Sequence, residues 1–82
     1  MFVVYILQSE TTGKFYIGST GNLPERIIRH NGCRSKATKS GIPWKIVWTE
    51  NFETRSGAVI REMEIKSWKS HERIKLLINS EV

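Results

Sequence analysis

Five side chains in this sequence have types and spacing that could do chemistry. They are Tyr5, Tyr16, Arg26, His30 and Glu62. A phenol or an imidazole can position or deprotonate water, a guanidinium can bind phosphate, and a carboxylate can bind a divalent cation. Each also has an ordinary structural interpretation, because paired tyrosines commonly pack in sheets and an isolated Arg or His commonly lies on the surface. The surrounding pattern decides between the two interpretations.

Glu62 interrupts an apolar helical pattern. It follows Ala58 by four residues and precedes Ile65 by three, so it falls on the stripe that should face the core. Burial of an unpaired carboxylate is costly, so Glu62 needs a positive partner. That partner is either a Lys or Arg in a structural ion pair or a divalent metal ion, and the residues alone leave both open.

Arg26 and His30 are four residues apart on a predicted helix, where they flank the stripe made by Leu23 and Ile27. Two neighbouring cationic groups would repel each other. An anion bound between them would relieve that repulsion, so the pair is a candidate phosphate site. A surface pair without function is the alternative.

The positive charge is concentrated between Arg26 and Lys45, a stretch with no acidic residue in a chain of net charge +5. Such a segment favours contacts to phosphates through counterion release. The predicted nucleic-acid contacts are Arg29, Arg34, Lys36 and Lys39. An exposed loop that only keeps the chain soluble is the alternative interpretation.

Length and composition exclude several classes of protein. The chain has 82 residues, which predicts a single domain over 1–82. All 8 acidic residues are Glu, which excludes aspartyl dyads, Ser-His-Asp triads and EF-hand loops. The single Cys33 cannot form an internal disulfide, so we expect a cytoplasmic protein. The opening apolar run is far shorter than the ~20 residues of a membrane span, and we expect no membrane association.

The elements that would hold these side chains follow the order ββαβαα. We expect strands at Phe2–Leu7, Phe15–Ser19 and Trp44–Thr49 and helices at about Leu23–His30, Thr54–Ser67 and Ser70–Asn79. This is an α+β (α/β) fold with a small, mainly antiparallel three-stranded sheet flanked by helices, in which the first strand is central.

A hairpin through Gly13 would join the first two strands. If it pairs Tyr5 directly with Tyr16, and hence Val3 with Gly18, the two phenols share one face of the sheet. A slip by one residue would separate them.

Taken together, these features resemble the GIY-YIG nuclease domain, and the resemblance covers nearly the whole chain. The motifs that carry it are Val3-Val4-Tyr5, Tyr16-Ile17-Gly18-Ser19-Thr20, Asn22-Leu23, Arg26, His30-Asn31, Arg61-Glu62 and Ile65-Lys66-Ser67-Trp68. The sequence looks most like the small, stand-alone bacterial proteins of this family. One departure is plain, because Val3-Val4-Tyr5 stands where the family name has Gly-Ile-Tyr.

The resemblance implies a metal-dependent endonuclease that hydrolyses DNA with one divalent cation, Mg²⁺ or Mn²⁺. It implies that Tyr5 is the general base or positions water with help from His30, and that Tyr16 orients water. Arg26 would bind the scissile phosphate and Glu62 would hold the metal. The late Asn of the family would be Asn79. A protein partner would supply target specificity, as attached domains or subunits commonly do in this family.

Two other functions remain open at this stage. The first is a module that binds nucleic acid or serves as an adaptor without turnover. The second is a small protein-interaction domain that binds no nucleic acid, which the complete residue set disfavours.

Overall fold

The computed structural model describes residues 1–32 and 39–80, which form an α+β fold in the predicted order ββαβαα. The strands are β1 (Phe2–Ser9), β2 (Phe15–Thr20) and β3 (Trp44–Phe52), and the helices are α1 (Leu23–Asn31), α2 (Arg55–Ser67) and α3 (His71–Asn79). The strand β3 runs beyond its predicted end at Thr49, because its backbone stays paired with β1 as far as Phe52 opposite Phe2.

The sheet is antiparallel with the order β2-β1-β3, so the first strand is central as predicted. Helices cover both of its faces, which explains why β1 is apolar at consecutive positions. Val4 and Ile6 pack with Ala58 and Ile65 of α2 on one face. On the other face lie Tyr5 and Leu7, with Trp44, Leu23 and Ile27 packed against them.

The hairpin between β1 and β2 has a different register from the one predicted. Tyr5 lies opposite Gly18, and Tyr16 lies opposite Leu7. Direct pairing of the two tyrosines is therefore wrong, because the turn closes between Ser9, whose N–H donates to the Lys14 carbonyl at 2.9 Å, and Lys14, and this places Tyr16 opposite Leu7. In that turn the Ser9 side chain accepts two backbone N–H bonds and Gly13 has a φ of 76°. The displacement is two residues, so both phenols still lie on one face.

The predicted helix starts are confirmed at all three N-caps. The side chains of Asn22, Thr54 and Ser70 each accept a hydrogen bond from the backbone N–H three residues later. The cap at Asn22 begins α1 directly after β2, which places Arg26 and His30 over the face of the sheet that carries both tyrosines. In residues 1–32 and 39–80, none of the helices has the length and apolar character needed to cross a membrane.

Candidate active site

The centre of the candidate site is a contact between Tyr5 on β1 and His30 on α1. The Tyr5 hydroxyl lies 3.1 Å from Nε2 of His30, and the two residues are only 1% and 2% exposed. Gly18 on β2 makes this arrangement possible. A Cβ at that position would lie 2.5 Å from the Tyr5 hydroxyl oxygen, so only glycine lets the phenol lie against the β2 backbone.

Tyr16 and Arg26 complete this side of the site. The Tyr16 ring meets the His30 ring edge-on, with 4.8 Å between the ring centroids. The Arg26 guanidinium lies beside the Tyr5 hydroxyl. Both Tyr16 and Arg26 are half-buried, whereas Tyr5 and His30 are fully enclosed. The half-buried pair therefore forms the surface that a ligand can reach.

The environment of Tyr5 favours the neutral phenol. Burial, followed by the charges of Tyr16 and Glu62, raises the pKa of Tyr5 to about 12, although Arg26 acts in the opposite direction. At that pKa only about one molecule in 10⁵ carries a phenolate at pH 7. The positive charge of Arg26 alone therefore does not make Tyr5 acidic enough to act as a phenolate base near pH 7.

The environment of His30 favours its neutral form. Burial, together with the charges of Arg26 and Arg29, lowers the pKa of His30 below its usual 6.5. The lowered pKa favours the uncharged imidazole near pH 7, so repulsion between Arg26 and a cationic His30 does not by itself call for a bound anion. A neutral imidazole can accept the Tyr5 proton at Nε2 when its own proton is on Nδ1.

Glu62 approaches from α2, and its two oxygen atoms have different partners. The Ser19 hydroxyl donates to Oε1 at 2.5 Å, and the Lys66 ammonium lies 2.6 Å from Oε2. The Glu62 side chain is 18% exposed, and that of Lys66 is 50% exposed. The positive partner in this structure is thus a surface lysine one helical turn away, so the ion-pair interpretation describes the chain without metal.

The donor set around Glu62 also fits a magnesium ion that is shared with a substrate. Across residues 1–32 and 39–80, no three His, Cys or acidic side chains are grouped closely enough to enclose a metal. Magnesium commonly takes only one or two protein carboxylates and completes its shell with water and substrate phosphate. The partly exposed Glu62 carboxylate beside the Ser19 hydroxyl offers oxygen donors of this kind.

A polar cleft of about 260 Å³ opens next to these groups. Its lining residues come from the end of β2 and the starts of α1 and α2, and they are Ser19, Thr20, Gly21, Asn22, Glu25, Arg26 and Arg55. Arg55 stacks over the Phe2 ring, with its guanidinium carbon 5.1 Å from the ring centroid. Two guanidinium groups on one polar cleft suit an anionic ligand.

Sequence reasoning missed Ser19, Arg55 and Lys66. Ser19 sits inside the recognised motif and alternates with Ile17, but nothing in the sequence shows that its partner is 43 residues away. Arg55 was missed for the same reason, because it lines the cleft with Arg26, which is far from it in sequence. Lys66 could have been found, because it follows Glu62 by four residues on one helix, a spacing that forms ion pairs.

The other predicted nucleic-acid contacts are either exposed or not among the described residues. Arg29 and Lys39 are exposed, and Arg34 and Lys36 lie outside the described residues. Asn79 ends α3 and lines a small cavity with Gln8 and Phe15, so it is not among the residues gathered around Tyr5.

The fold and this group of residues define a GIY-YIG catalytic domain. Residues 1–75 match the family model described as "GIY-YIG catalytic domain", and the chain therefore belongs to the GIY-YIG family.

Its relatives include small bacterial proteins named UPF0213. The chain is 37% identical over 75 residues to a UPF0213 protein of Staphylococcus saprophyticus, with 90% of each chain covered. It is 36% identical over 83 residues to a UPF0213 protein of Clostridium perfringens, which covers 100% of this chain and 88% of the relative. The solution NMR structure of a UPF0213 protein from Bacillus halodurans shares the fold, with a TM-score of 0.62, 29% identity and coverage of 99% and 86%.

Proposed function

We propose that this chain is a metal-dependent endonuclease that hydrolyses phosphodiester bonds in DNA. Membership of the GIY-YIG family supports the nuclease class. The names of its UPF0213 relatives state no activity, so support for the particular reaction comes from the site.

The observation that carries the proposal is the assembly around one hydroxyl group. The Tyr5 hydroxyl contacts His30, and the charges of Tyr16, Arg26 and Glu62 all act on its pKa. These side chains come from four different elements and are far apart in sequence. Packing alone does not require two phenols, an imidazole and a guanidinium to meet on one face of the sheet, with a carboxylate on the other face close enough to act on the same phenol. Phosphodiester hydrolysis can use each of these groups.

Arg26 is the group that would bind the scissile phosphate. Its guanidinium is half-buried on the wall of the polar cleft and beside the Tyr5 hydroxyl. A guanidinium offers two parallel N–H donors to phosphate oxygens, and its charge stabilises the additional negative charge that develops as water attacks phosphorus. Arg55, which lines the same cleft, would bind the same or the next phosphate.

The Tyr5–His30 contact supplies a route for the proton of the attacking water. The water oxygen forms a bond to phosphorus as the bond between phosphorus and the leaving oxygen breaks. The water proton passes to the Tyr5 oxygen while the Tyr5 proton passes to Nε2 of His30, so no free phenolate is needed. Because Tyr5 is enclosed, the water would have to enter beside the half-buried Tyr16 and Arg26 to reach the Tyr5 hydroxyl, and Tyr16 would orient it there.

Glu62 and Ser19 are the residues that would hold Mg²⁺ or Mn²⁺. Bound there, the cation would supply Lewis-acid stabilisation of the phosphoryl and leaving oxygen atoms. Lys66 neutralises Glu62 in the chain without metal and, being half-exposed, can swing into solvent.

The test is incubation of the purified chain with a panel of single-stranded, duplex, nicked and branched DNA in magnesium, manganese or a chelator. We expect cleavage that requires the divalent cation and is lost in Glu62→Gln. The control is Glu64→Gln, which removes an exposed carboxylate from the same helix and should cleave normally. DNA binding without cleavage in every condition would overturn the proposal in favour of a binding module.

A further inference from the structure

A second cavity lies along the edge strand β2, on the face of the sheet that carries Ser19 and Glu62. It has a volume of about 320 Å³. Phe15, Ile17 and Ile74 form an apolar floor, and Lys14, Lys66 and Lys69 contribute cationic groups. The residues that line the cavity include no carboxylate. An apolar floor under a cationic rim suits a ligand that has both a flat apolar part and a negative charge.

The positive charge at this cavity is largely uncompensated. Lys66 is paired with Glu62, but within residues 1–32 and 39–80 neither Lys14 nor Lys69 makes an ion pair. Both are exposed, so they can move to meet a ligand. Lys69 adopts a left-handed backbone conformation, with a φ of 49°, in the turn between α2 and α3.

An aromatic surface faces the same cavity. The His71 ring packs on Phe15 with 4.5 Å between the centroids and 31° between the planes. His71 is exposed and also lines the cavity, so one face of the pair remains available. Stacked aromatic rings of this kind can stack against any of the nucleobases, because every base has a flat π-face.

The cavity lies next to the candidate active site, although the two share no lining residue in the described part of the chain. Ile17 in its floor and Ser19 beside Glu62 are consecutive positions on the same face of β2, which places their Cα atoms about 7 Å apart. Lys66 connects the two sites directly, because it lines the cavity and contacts Oε2 of Glu62. A strand that leaves the polar cleft along β2 would therefore pass over this cavity.

We propose that this cavity is a second nucleic-acid subsite, which binds the nucleotide flanking the scissile phosphate. Lys14 and Lys69 bind its phosphate, and its base stacks on the His71–Phe15 pair. The base must be unpaired or turned out of a duplex to reach the floor. This proposal rests on the proposed nuclease function, but its test measures binding without cleavage.

The phosphate contact is tested by binding of a fluorescent oligo-dT to the full chain in a chelator. Lys14→Gln and Lys69→Asn remove one charge each. Because Asn tolerates the left-handed conformation at position 69, the melting temperature of the Lys69→Asn protein should not fall. We expect the double variant to bind roughly tenfold more weakly at low salt. The slope of log K against log salt should become shallower by about 0.7 for each phosphate that the variant no longer neutralises. Lys75→Gln on α3 is the matched control and should bind like the parent.

The base contact is tested with an abasic oligonucleotide of the same length. His71→Ala should weaken binding of oligo-dT by about fivefold or more and leave binding of the abasic strand unchanged. The lysine variants should weaken binding of both strands.

Three results would overturn the subsite. The first is binding by the Lys14→Gln, Lys69→Asn double variant that is as tight as that of the parent. The second is a weakening in the control Lys75→Gln that equals the weakening in the double variant. The third is a parent chain that binds neither oligonucleotide. Failure of the nuclease function is separable, because it would appear as no cleavage by the parent in magnesium while the predicted pattern of binding is kept.

Discussion

The hydroxyl of Tyr5 and Nε2 of His30 lie 3.1 Å apart inside the core, where they join the central strand to the first helix. A buried polar contact of this kind could serve packing alone. Its surroundings indicate a chemical role as well, because the pKa of Tyr5 is raised and that of His30 is lowered, and both shifts favour the uncharged group. A neutral phenol that faces a neutral imidazole is arranged to pass a proton, and the same shifts make the pair sensitive to pH.

Acid should destabilise the fold through His30. Its pKa is lowered from 6.5 by burial and by two arginines, so the unfolded chain binds the proton more tightly than the folded chain. The contribution of His30 to stability is therefore complete above pH 6.5 and declines as the pH falls through the lowered pKa. Urea unfolding at several pH values measures this dependence. His30→Gln cannot titrate, so its stability should fall less with acid than that of the parent, and parallel profiles would contradict the assignment.

At high pH the fold should be destabilised through Tyr5. Its folded pKa of about 12 lies above the usual 10.0, so stability should decline as the pH rises between these values. The chain has only 2 tyrosines, so the Tyr16→Phe variant reports Tyr5 alone in an ultraviolet titration of phenolate. We expect its pKa to stay above 10, though below the parent value because one of the raising charges is removed. A phenol that titrates near 10 would show that Tyr5 is not enclosed.

The sequence predicts this fold well because its signals are local. Alternation and apolar runs identify the three strands, and the caps at Asn22, Thr54 and Ser70 set the helix starts within one residue. The predicted register of the hairpin is wrong by two residues, because it depends on how tightly Ser9 and Gly13 close the turn. A displacement of two preserves the face of each side chain, so the shared location of both phenols is still predicted correctly.

The chemical properties of the site are less predictable from the sequence than the identity of the residues that form it. The resemblance identifies Tyr5, Arg26 and His30, but it cannot show that His30 is neutral or that Tyr5 is less acidic than usual. Those properties arise from burial, which is a tertiary effect. The contact between Ser19 and Glu62 and the position of Arg55 at the polar cleft likewise depend on how α2 packs against the sheet. No local sequence pattern specifies that packing.

Gly18→Ala should displace Tyr5 and weaken the fold. The new Cβ would lie 2.5 Å from the hydroxyl oxygen and 2.7 Å from Cζ of Tyr5, whose ring is buried and cannot swing away. We expect a decrease of about 1–3 kcal/mol in the free energy of unfolding. Tyr5→Phe in the same background removes the closer contact and should recover part of that decrease, as a double-mutant cycle would show.

The control for this cycle is Gly21→Ala. Its Cβ would approach the Phe2 ring only to 3.3 Å, so it should cost much less. Equal destabilisation at positions 18 and 21 would mean that the strand backbone, rather than the phenol, is responsible.

Arg55→Gln should weaken substrate binding with little effect on stability. Arg55 faces the polar cleft, and its one structural contact in the described residues is with the Phe2 ring. We expect an increase in KM of about five- to tenfold, as for removal of a phosphate contact of about 1 kcal/mol. Arg73→Gln is a matched control, because it removes the same charge and a similar contact, 4.7 Å from the Trp68 ring, on another helix. Its KM should stay near the parent value.

Glu62→Gln should abolish cleavage while the fold and DNA binding persist. The substitution keeps the side-chain volume and the hydrogen bond from Ser19, but it removes the charge that a divalent cation needs. The cation left without a partner is Lys66, which is half-exposed, so the decrease in stability should stay within about 1 kcal/mol rather than the ~3 kcal/mol of a stranded buried charge. Thermal melts and cleavage rates of the variant measure the two effects separately.

Magnesium provides the second arm of this experiment. A cation that binds only the folded chain raises its stability by RT ln(1 + [Mg²⁺]/Kd), so the parent should melt at a higher temperature in magnesium than in a chelator. Glu62→Gln should lose that shift, and Glu64→Gln, whose carboxylate pairs with Arg61 on the surface, should keep it. A folded Glu62→Gln protein that cleaves DNA at the parent rate, or a parent that cleaves in the chelator, would refute the role of Glu62 as the metal ligand.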